Sequence, residues 1–256
     1  TIPSAGRSGR VYARPAAGSA APKPGAPRIA LVVGGLGLAT SVTETAIERL
    51  PGAVTLAFAP YGADLPRQTQ KAREAGHEIL LQAPMEPFDY PNVDPGPHTL
   101  RVGVDAAANR DDLHWLMSRF TGYVGVANFL GARLLGDETA LAPILREIAD
   151  RGLFYLDDGA SGQSVAGALA PQIGLLGARV DVGLDAPDGA AMGAALDRLE
   201  KIAREKGVAV GVANALPATL ERLSIFAAAV EARGVALVPF SAVASRGPAP
   251  SAGRAR

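Results

Sequence analysis

The stretch Arg28-Ile-Ala-Leu-Val-Val33 runs directly into Gly34-Gly35-Leu36-Gly37. Its first part is short and continuously apolar, as expected of a parallel β-strand covered on both faces. The carboxyl end of such a strand is where catalytic side chains usually project in an α/β barrel. Because glycines occupy the first two positions after the strand, the sequence predicts a strand end that carries no acidic side chain.

Seven further strand-like segments follow, and helix-like segments separate most of them. The predicted strands cover residues 29–33, 53–58, 78–83, 123–128, 153–157, 179–184, 208–214 and 235–240. The predicted helices cover residues 41–50, 64–75, 106–120, 138–151, 188–206 and 217–233. This alternation predicts an α/β fold, a distorted (β/α) barrel of seven or eight mainly parallel strands. An open doubly wound sheet is the alternative.

The composition excludes several classes of protein. Lys plus Arg and Asp plus Glu both number 25, a formal net charge of zero that argues against a nucleic-acid partner bound by bulk phosphate attraction. There is no cysteine, hence no disulfide framework and no thiolate metal site. No apolar run approaches the roughly 20 residues that span a bilayer.

The two ends of the chain differ from its middle. Residues 1–27 are rich in Pro, Gly, Ala and Ser, with four basic residues and no acid, and predict a flexible linker. A basic arm lying on an anionic surface is the alternative. Residues 28–245 form the predicted domain, and residues 246–256 a disordered tail. Because the sequence begins at Thr1, we expect a processed chain or a fragment, with a membrane anchor possible upstream.

Acidic and basic residues near predicted strand ends are the first candidates for chemistry. Asp157 and Asp158 form a pair there, either as a general base or metal ligand or as a turn pair. Glu86 lies in a long loop predicted over residues 84–99, either as a substrate contact or as a solvated acid. Arg133 either binds an anion or pairs with Asp157. The eighth predicted strand would bring Ser241 to the same edge.

Neither the histidines nor the glycines form a recognised site. The three histidines, at positions 77, 98 and 114, lack metal-ligand spacing, and we expect them to serve packing or to lie at the surface. Gly35 and Gly37 begin a dinucleotide-binding pattern, but Thr40 stands where its third glycine is needed. Ser161 and Ser164 lie outside a nucleophile elbow, which argues against a serine hydrolase.

Several segments together resemble the divergent polysaccharide deacetylase family of bacterial envelope proteins. They are Leu56-Ala-Phe-Ala-Pro-Tyr61, Ala75-Gly-His-Glu-Ile-Leu-Leu-Gln-Ala-Pro-Met-Glu-Pro87, Asp94-Pro-Gly-Pro97, Gly125-Val-Ala-Asn-Phe-Leu-Gly-Ala-Arg133, Arg151-Gly-Leu-Phe-Tyr-Leu-Asp157 and Arg233-Gly-Val-Ala-Leu-Val-Pro239. The resemblance covers about residues 28 to 243. It implies a distorted barrel of the carbohydrate-esterase type and a hydrolase ancestry.

The sequence departs from that family where a metal would be held. The resemblance places an aspartate pair at Gly34-Gly35 and histidines at Gln82, Phe129 and Asn214, and only Asp157 is retained. A tight zinc site is therefore not expected, and no cofactor is predicted. The glycines are expected to leave space in the cleft.

The leading hypothesis is a pseudoenzyme that binds a polysaccharide, a peptidoglycan strand or an envelope protein. The substrate-binding candidates are Gln82, Glu86, Asn128, Phe129, Arg133, Asn214 and Tyr61. Phe129, Tyr61 and Tyr90 are the aromatic rings that would stack on sugars. The alternative is an active carbohydrate deacetylase that uses Asp157, Asp158 or Glu86, with zinc or another divalent metal. A third hypothesis is an interaction module built on the 84–99 loop. The family and the linker predict a periplasmic domain, with the linker as a tether to the inner membrane.

Overall fold

The computed structural model describes residues 13 and 25–246. Its strands are β1 (Arg28–Leu36), β2 (Thr55–Phe58), β3 (Ile79–Met85), β4 (Gly125–Leu130), β5 (Phe154–Asp157), β6 (Leu176–Arg179), β7 (Val182–Gly183), β8 (Val208–Asn214), β9 (Ala236–Leu237) and β10 (Ser245–Arg246). Its helices are α1 (Thr40–Arg49), α2 (Leu65–Glu74), α3 (Ala106–Ser118), α4 (Glu138–Asp150), α5 (Ala166–Ile173), α6 (Gly189–Lys206) and α7 (Pro217–Val230). Among these residues, no helix is long and apolar enough to cross a membrane.

The strands form one sheet in the order β10-β6-β5-β4-β3-β2-β1-β8-β7, with β9 added beside β1. Every pairing is parallel except that of β10 with β6. The sheet curls into a half-barrel with helices between the strands, which confirms the distorted (β/α) barrel. The register of β1 and β8 is unbroken from Arg28 opposite Val208 to Gly34 opposite Asn214. These two strand ends therefore lie side by side.

Burial on both faces explains the continuous apolar run that opens the domain. Ile29, Leu31 and Val33 pack in the layer between the sheet and the helices, and each is fully buried. Ala30 and Val32 belong to a second, smaller cluster of buried residues, with 0% and 1% of their surface exposed. Because adjacent residues of a strand point to opposite faces, an alternating pattern would have left one of these layers without apolar side chains.

The sequence predicted the first five strands, β8 and six of the helices but misjudged three later elements. The predicted 179–184 strand is divided between β6 and β7. Helix α5 was not predicted, because it is short and contains Pro171 and Gly167. The predicted strand over 235–240 shrinks to β9, because the chain turns into a 3₁₀ helix at Phe240–Ala242.

That last turn closes the amino end of the barrel. The Phe240 N–H donates to Thr55 Oγ1 at 3.0 Å, and the Ser241 N–H donates to Glu78 Oε2 at 3.0 Å. Glu78 is fully buried and directly precedes β3, so it marks the amino end of the sheet. Placing Ser241 at the opposite, carboxyl edge was therefore wrong. The interpretation failed because β9 pairs only with the first two residues of β1.

The predicted 28–245 domain corresponds to β1 through the start of β10. Of the predicted linker, the structure describes Ala13 and residues 25–27, and Ala13 packs against the smaller core cluster. Of the predicted tail, it describes only Arg246, which forms β10 with Ser245. The other linker and tail residues lie outside the described part of the chain. These boundaries remain predictions.

Candidate functional site

Gln82 fills the space next to the glycines at the end of β1. Its Oε1 accepts a hydrogen bond from the Gly35 N–H at 2.7 Å. A Cβ added to Gly34 would lie 2.7 Å from Gln82 Nε2, closer than a Cβ atom approaches any neighbour. Gly35 has φ +76°, a conformation that side-chain-bearing residues rarely adopt. The expectation that the glycines leave space is wrong beside Gly34, because the Gln82 amide occupies it.

Asn214, at the end of β8, is held by Asp185. The Asn214 N–H donates to Asp185 Oδ1 at 2.9 Å, and its Nδ2 donates to Asp185 Oδ2 at 2.8 Å. Both residues are exposed. Asp185 is not among the site residues that the sequence predicted. Its position directly after the apolar run 182–184 was the available signal.

Asn128 joins the ends of β4 and β5. Its Oδ1 accepts from the Asp158 N–H and its Nδ2 donates to the Leu130 carbonyl, both at 2.8 Å. Leu130 has φ +58° and Gly131 has φ +97°, so the chain turns sharply after β4. Phe129 lies between Asn128 and this turn, and 39% of its surface is exposed. Asn128 thus positions Phe129 at the edge, while both of its amide atoms bond to the chain.

The acid pair after β5 is built into a turn. Asp157 is 4% exposed, and it accepts hydrogen bonds from the Gly159 N–H at 2.9 Å and the Ser164 hydroxyl at 2.6 Å. Asp158 is half-buried and accepts from the Ala160 N–H at 2.9 Å. These contacts match the turn interpretation of the pair. A catalytic role for either acid remains a prediction.

The environment of Asp158 shifts its acidity. Burial raises the pKa of the Asp158 carboxyl, and the neighbouring charge of Asp157 raises it further. Hydrogen bonds from Asn128 and from the Ala160 N–H, together with the charge of Arg179, act in the opposite direction. The net shift is upward, so Asp158 holds its proton to a higher pH than an exposed aspartate does.

Glu86 is a buried link between loops. It is 4% exposed, its Oε2 accepts from the Val102 N–H at 2.7 Å, and its Oε1 accepts from Arg133 Nη1 at 2.7 Å. Its carbonyl also accepts from the N–H groups of Arg133 and Leu134. The interpretation of Glu86 as a solvated acid was wrong, as was the pairing of Arg133 with Asp157. Flanking prolines indicated a loop but gave no sign that the loop folds back over this carboxylate.

Tyr61 anchors the long loop. Its hydroxyl donates to the Pro97 carbonyl at 2.7 Å, and a Cβ on Gly96 would lie 2.8 Å from its ring. Burial, with a smaller contribution from the charge of Asp94, raises the pKa of Tyr61 to about 12. The observed loop begins at residue 86, two residues later than the predicted one, because β3 continues through Met85. Tyr61 thus contacts the loop with its ring and its hydroxyl.

The three histidines have structural contacts. The buried His77 contacts the Val54 carbonyl through Nδ1 at 2.7 Å. His98 contacts Asp112 at 2.7 Å and stacks on Trp115 with 3.9 Å between ring centroids. His114 contacts Glu147 at 2.7 Å. These positions agree with the packing interpretation.

The donor groups at the strand-end edge do not fit a zinc site. Within the part of the chain that the structure describes, no three His, Asp or Glu residues converge so as to hold a metal ion. Structural and catalytic zinc sites draw three or four ligands from imidazole, thiolate and carboxylate. The three imidazoles contact the Val54 carbonyl, Asp112 and Glu147, and Gln82 and Asn128 are amides already bonded to the backbone.

The fold and this edge define the class of protein, a distorted (β/α) barrel of the deacetylase type. The divergent polysaccharide deacetylase family matches residues 31–244, and the chain belongs to that family. The comparisons therefore confirm the family resemblance that the sequence motifs suggested.

Individual relatives extend this result. The crystal structure of the uncharacterized protein ATU2773 from Agrobacterium tumefaciens C58 is 44% identical, with a TM-score of 0.90, and the match covers 95% of this chain and 99% of that one. The catalytic domain of peptidoglycan N-acetylglucosamine deacetylase from Eubacterium rectale shares the fold at 13% identity, with a TM-score of 0.53 over 92% of this chain and 98% of that one. An uncharacterized protein of Haemophilus influenzae is 26% identical over 132 residues, 52% of this chain and 46% of that protein. The chain spans about half the length of the curated relatives it matches.

Proposed function

We propose that the chain is a non-catalytic member of its family, a pseudoenzyme that uses the carboxyl edge of the barrel to bind its ligand. The ligand is a component of the cell envelope, either a polysaccharide or peptidoglycan strand or a partner protein. The domain works without a metal cofactor. It lies in the periplasm, tethered to the inner membrane through a segment that precedes the domain.

One observation carries the proposal, namely that the polar side chains at this edge are bonded to the chain itself. Gln82 holds the Gly35 N–H, Asn128 holds the Asp158 N–H, and Asp185 holds Asn214. Metal-dependent deacetylation needs a cation that polarises the carbonyl and prepares a water for attack. At this edge the oxygen and nitrogen atoms that could bind a cation are instead hydrogen-bonded to the protein's own loops. The exposed side chains that remain, such as Phe129, can contact a ligand but cannot coordinate a metal, which supports a binding role.

The periplasmic location and the tether rest on two other observations. The family resemblance points to bacterial envelope proteins, and the Pro- and Ala-rich segment ahead of β1 has the composition of a linker. Fractionation of cells that produce the full-length protein, with and without detergent extraction, tests both. Recovery in the cytosolic fraction would contradict this part of the proposal.

Release of acetate tests the absence of catalysis. We expect no release above buffer from N-acetylated chitooligosaccharides or from acetylated peptidoglycan, with and without added divalent metal. The Asp157→Ala variant serves as the matched control. Release by the unaltered chain that this variant loses would contradict the proposal.

The competing function is an active deacetylase, and the environment of Asp158 favours it. A carboxyl with a raised pKa beside a second carboxyl suits general acid–base chemistry. In that case acetate release would depend on pH and would fall by at least about 100-fold in Asp158→Asn. No dependence on Asp158 would count against this alternative.

A further inference from the structure

The exposed apolar side chains of the described residues concentrate at one edge of the molecule. Among the residues that the structure describes, six large apolar side chains are exposed, and only Ile225 of these lies away from the strand ends, on α7. The other five form what we call the apolar rim: Leu38, Phe88, Val93, Phe129 and Leu216. Phe88 is 64% exposed, and Leu38 and Leu216 are 59% and 58% exposed. Clustering of this kind marks an interaction site more often than scattered exposure does.

The sheet order places the residues of the apolar rim on neighbouring strand ends. Its residues lie at or after the ends of β4, β3, β1 and β8, and the consecutive order β4-β3-β2-β1-β8 leaves a gap only at β2. Phe129 is opposite Pro84 in the register, and the Ala215 N–H donates to the Gly34 carbonyl at 3.0 Å. At the end of β2, which carries no rim residue, the Tyr61 hydroxyl donates to the Pro97 carbonyl and so holds the long loop beside this strand end.

The loops at this edge also carry an excess of acids. We consider the loops after strand ends, residues 37–39, 59–64, 86–105, 131–137, 158–165, 184–188 and 215–216. They contain nine acids, at positions 64, 86, 89, 94, 105, 137, 158, 185 and 188, against two arginines, at positions 101 and 133. Arg67, Arg119 and Arg179 of neighbouring elements also bond to these loops, so acids outnumber arginines by nine to five. The whole chain has a formal net charge of zero, so the charge is unevenly distributed. An acidic edge attracts cationic partners and repels anionic ones.

We propose that the apolar rim docks a cationic segment of a partner protein, one that carries apolar side chains among its lysines and arginines. The inference rests on the proposed function in one respect, that the ligand is held at this edge, and it selects the protein partner over the glycan. Leu38 and Leu216 find matching apolar side chains on such a segment, and the acids that surround the rim complement its charge. A second copy of this chain is disfavoured, because two acidic edges repel each other.

The probe is a fluorescein-labelled synthetic peptide that repeats Leu-Lys-Lys-Leu, titrated with the full-length protein and followed by fluorescence anisotropy. Two matched peptides replace every lysine by glutamate or every leucine by serine. We expect saturable binding of the Lys/Leu peptide alone, weakening as salt rises from about 50 to 300 mM because screening shortens the reach of the acidic loops. Equal binding of the glutamate peptide would overturn the proposal.

Variants locate the binding. Phe129→Ser combined with Leu216→Ser is expected to weaken the Lys/Leu peptide by at least about tenfold, which corresponds to about 1.4 kcal/mol. Ile225→Ser is the matched control, because Ile225 is at least as exposed as Phe129 and Leu216 but lies on α7, and it should change the affinity by less than about twofold. Asp89→Asn should weaken binding about twofold, and Asp150→Asn, at the end of α4, should not. Equal effects of the rim and control variants would overturn the proposal.

Other occupants give distinct results. The basic residues of the predicted linker, residues 1–27, could compete with the peptide for the rim. In that case replacing Arg7, Arg10, Arg14 and Lys23 by serine would raise the peptide affinity about tenfold and overturn the proposal. Co-sedimentation with purified peptidoglycan that the rim variant loses, without peptide binding, would assign the edge to a glycan and also overturn it.

The acetate assay on the same preparation separates the two proposals. Release would contradict the pseudoenzyme, whereas failed peptide binding without release contradicts only the docking segment.

Discussion

The side-chain amide of Gln82, on β3, occupies the space beside Gly34, on β1, where any other residue would place its Cβ. The Gln82 amide accepts the Gly35 N–H and lies 2.7 Å from the position that a Cβ on Gly34 would take. The two residues therefore work as a pair, in which the missing side chain of one makes room for the amide of the other. The hydrogen bond between the Gly35 N–H and Gln82 Oε1 therefore links β1 to β3 at this edge of the barrel.

This pairing predicts the outcome of a double-mutant cycle. Gly34→Ala should lower the free energy of unfolding by about 1 kcal/mol, because the new methyl group displaces the flexible Gln82 amide and breaks its hydrogen bond with the Gly35 N–H. Adding Gln82→Ala should recover part of the loss, and a coupling energy above about 0.5 kcal/mol is expected from urea denaturation. Gly162→Ala is the control, because no atom lies within 4 Å of its added Cβ. Strict additivity of the two changes would contradict the contact.

Glu86 is predicted to be essential for the stability of the edge. Glu86→Ala should cost about 2–3 kcal/mol, because it removes the acceptor of the Val102 N–H and leaves Arg133 without its partner. Glu86→Gln should cost less, since it keeps an acceptor of the same shape. Glu205→Ala, at an exposed position, should stay within about 0.5 kcal/mol. If Glu86→Ala behaves like Glu205→Ala in urea denaturation, the buried link is not present.

Tyr61 is predicted to order the long loop. Tyr61→Phe removes the bond to the Pro97 carbonyl and should cost about 1 kcal/mol. Hydrogen exchange should then become faster at Gly96 and Thr99 but remain unchanged in β5. In a spectrophotometric titration, the difference between the wild type and this variant should have its midpoint near pH 12. A midpoint near pH 10 would show that the phenol is free in water.

The raised pKa of Asp158 gives a pH-dependent prediction. In the unfolded chain this carboxyl loses its proton at a lower pH than in the folded protein, so folding is favoured below the unfolded pKa, and that contribution is lost as the pH rises through the folded pKa. Asp158→Asn removes the buried charge and keeps an oxygen for the Ala160 N–H. Its melting temperature should exceed that of the wild type at pH 7, and the gain should shrink towards pH 4. A gain that grows on acidification would contradict the shift.

The fold could be predicted because it depends on local pattern. Continuous apolar runs such as residues 29–33 need two covered faces, and the alternation of such runs with helices leaves few architectures. The errors fall where local pattern is weak. Helix α5 has a proline within it, and the chain after β9 passes under the barrel, which only the pairing of Ser241 with Glu78 reveals.

The site could be predicted only as a set of positions. The sequence predicted Gln82, Asn128 and Asn214 as binding residues, and the structure places each of them at the carboxyl edge. It could not assign their partners, because a bond such as that of Arg133 to Glu86 spans 47 positions along the chain. The acidity of Asp158 likewise depends on burial that no local pattern encodes.

The central claim is that this edge binds a ligand without metal chemistry, and calorimetric titration of the full-length protein with zinc tests it most directly. The account predicts no stoichiometric heat of binding in the micromolar range, and the same result for Asp157→Ala. Stoichiometric micromolar binding that Asp157→Ala abolishes would contradict the account.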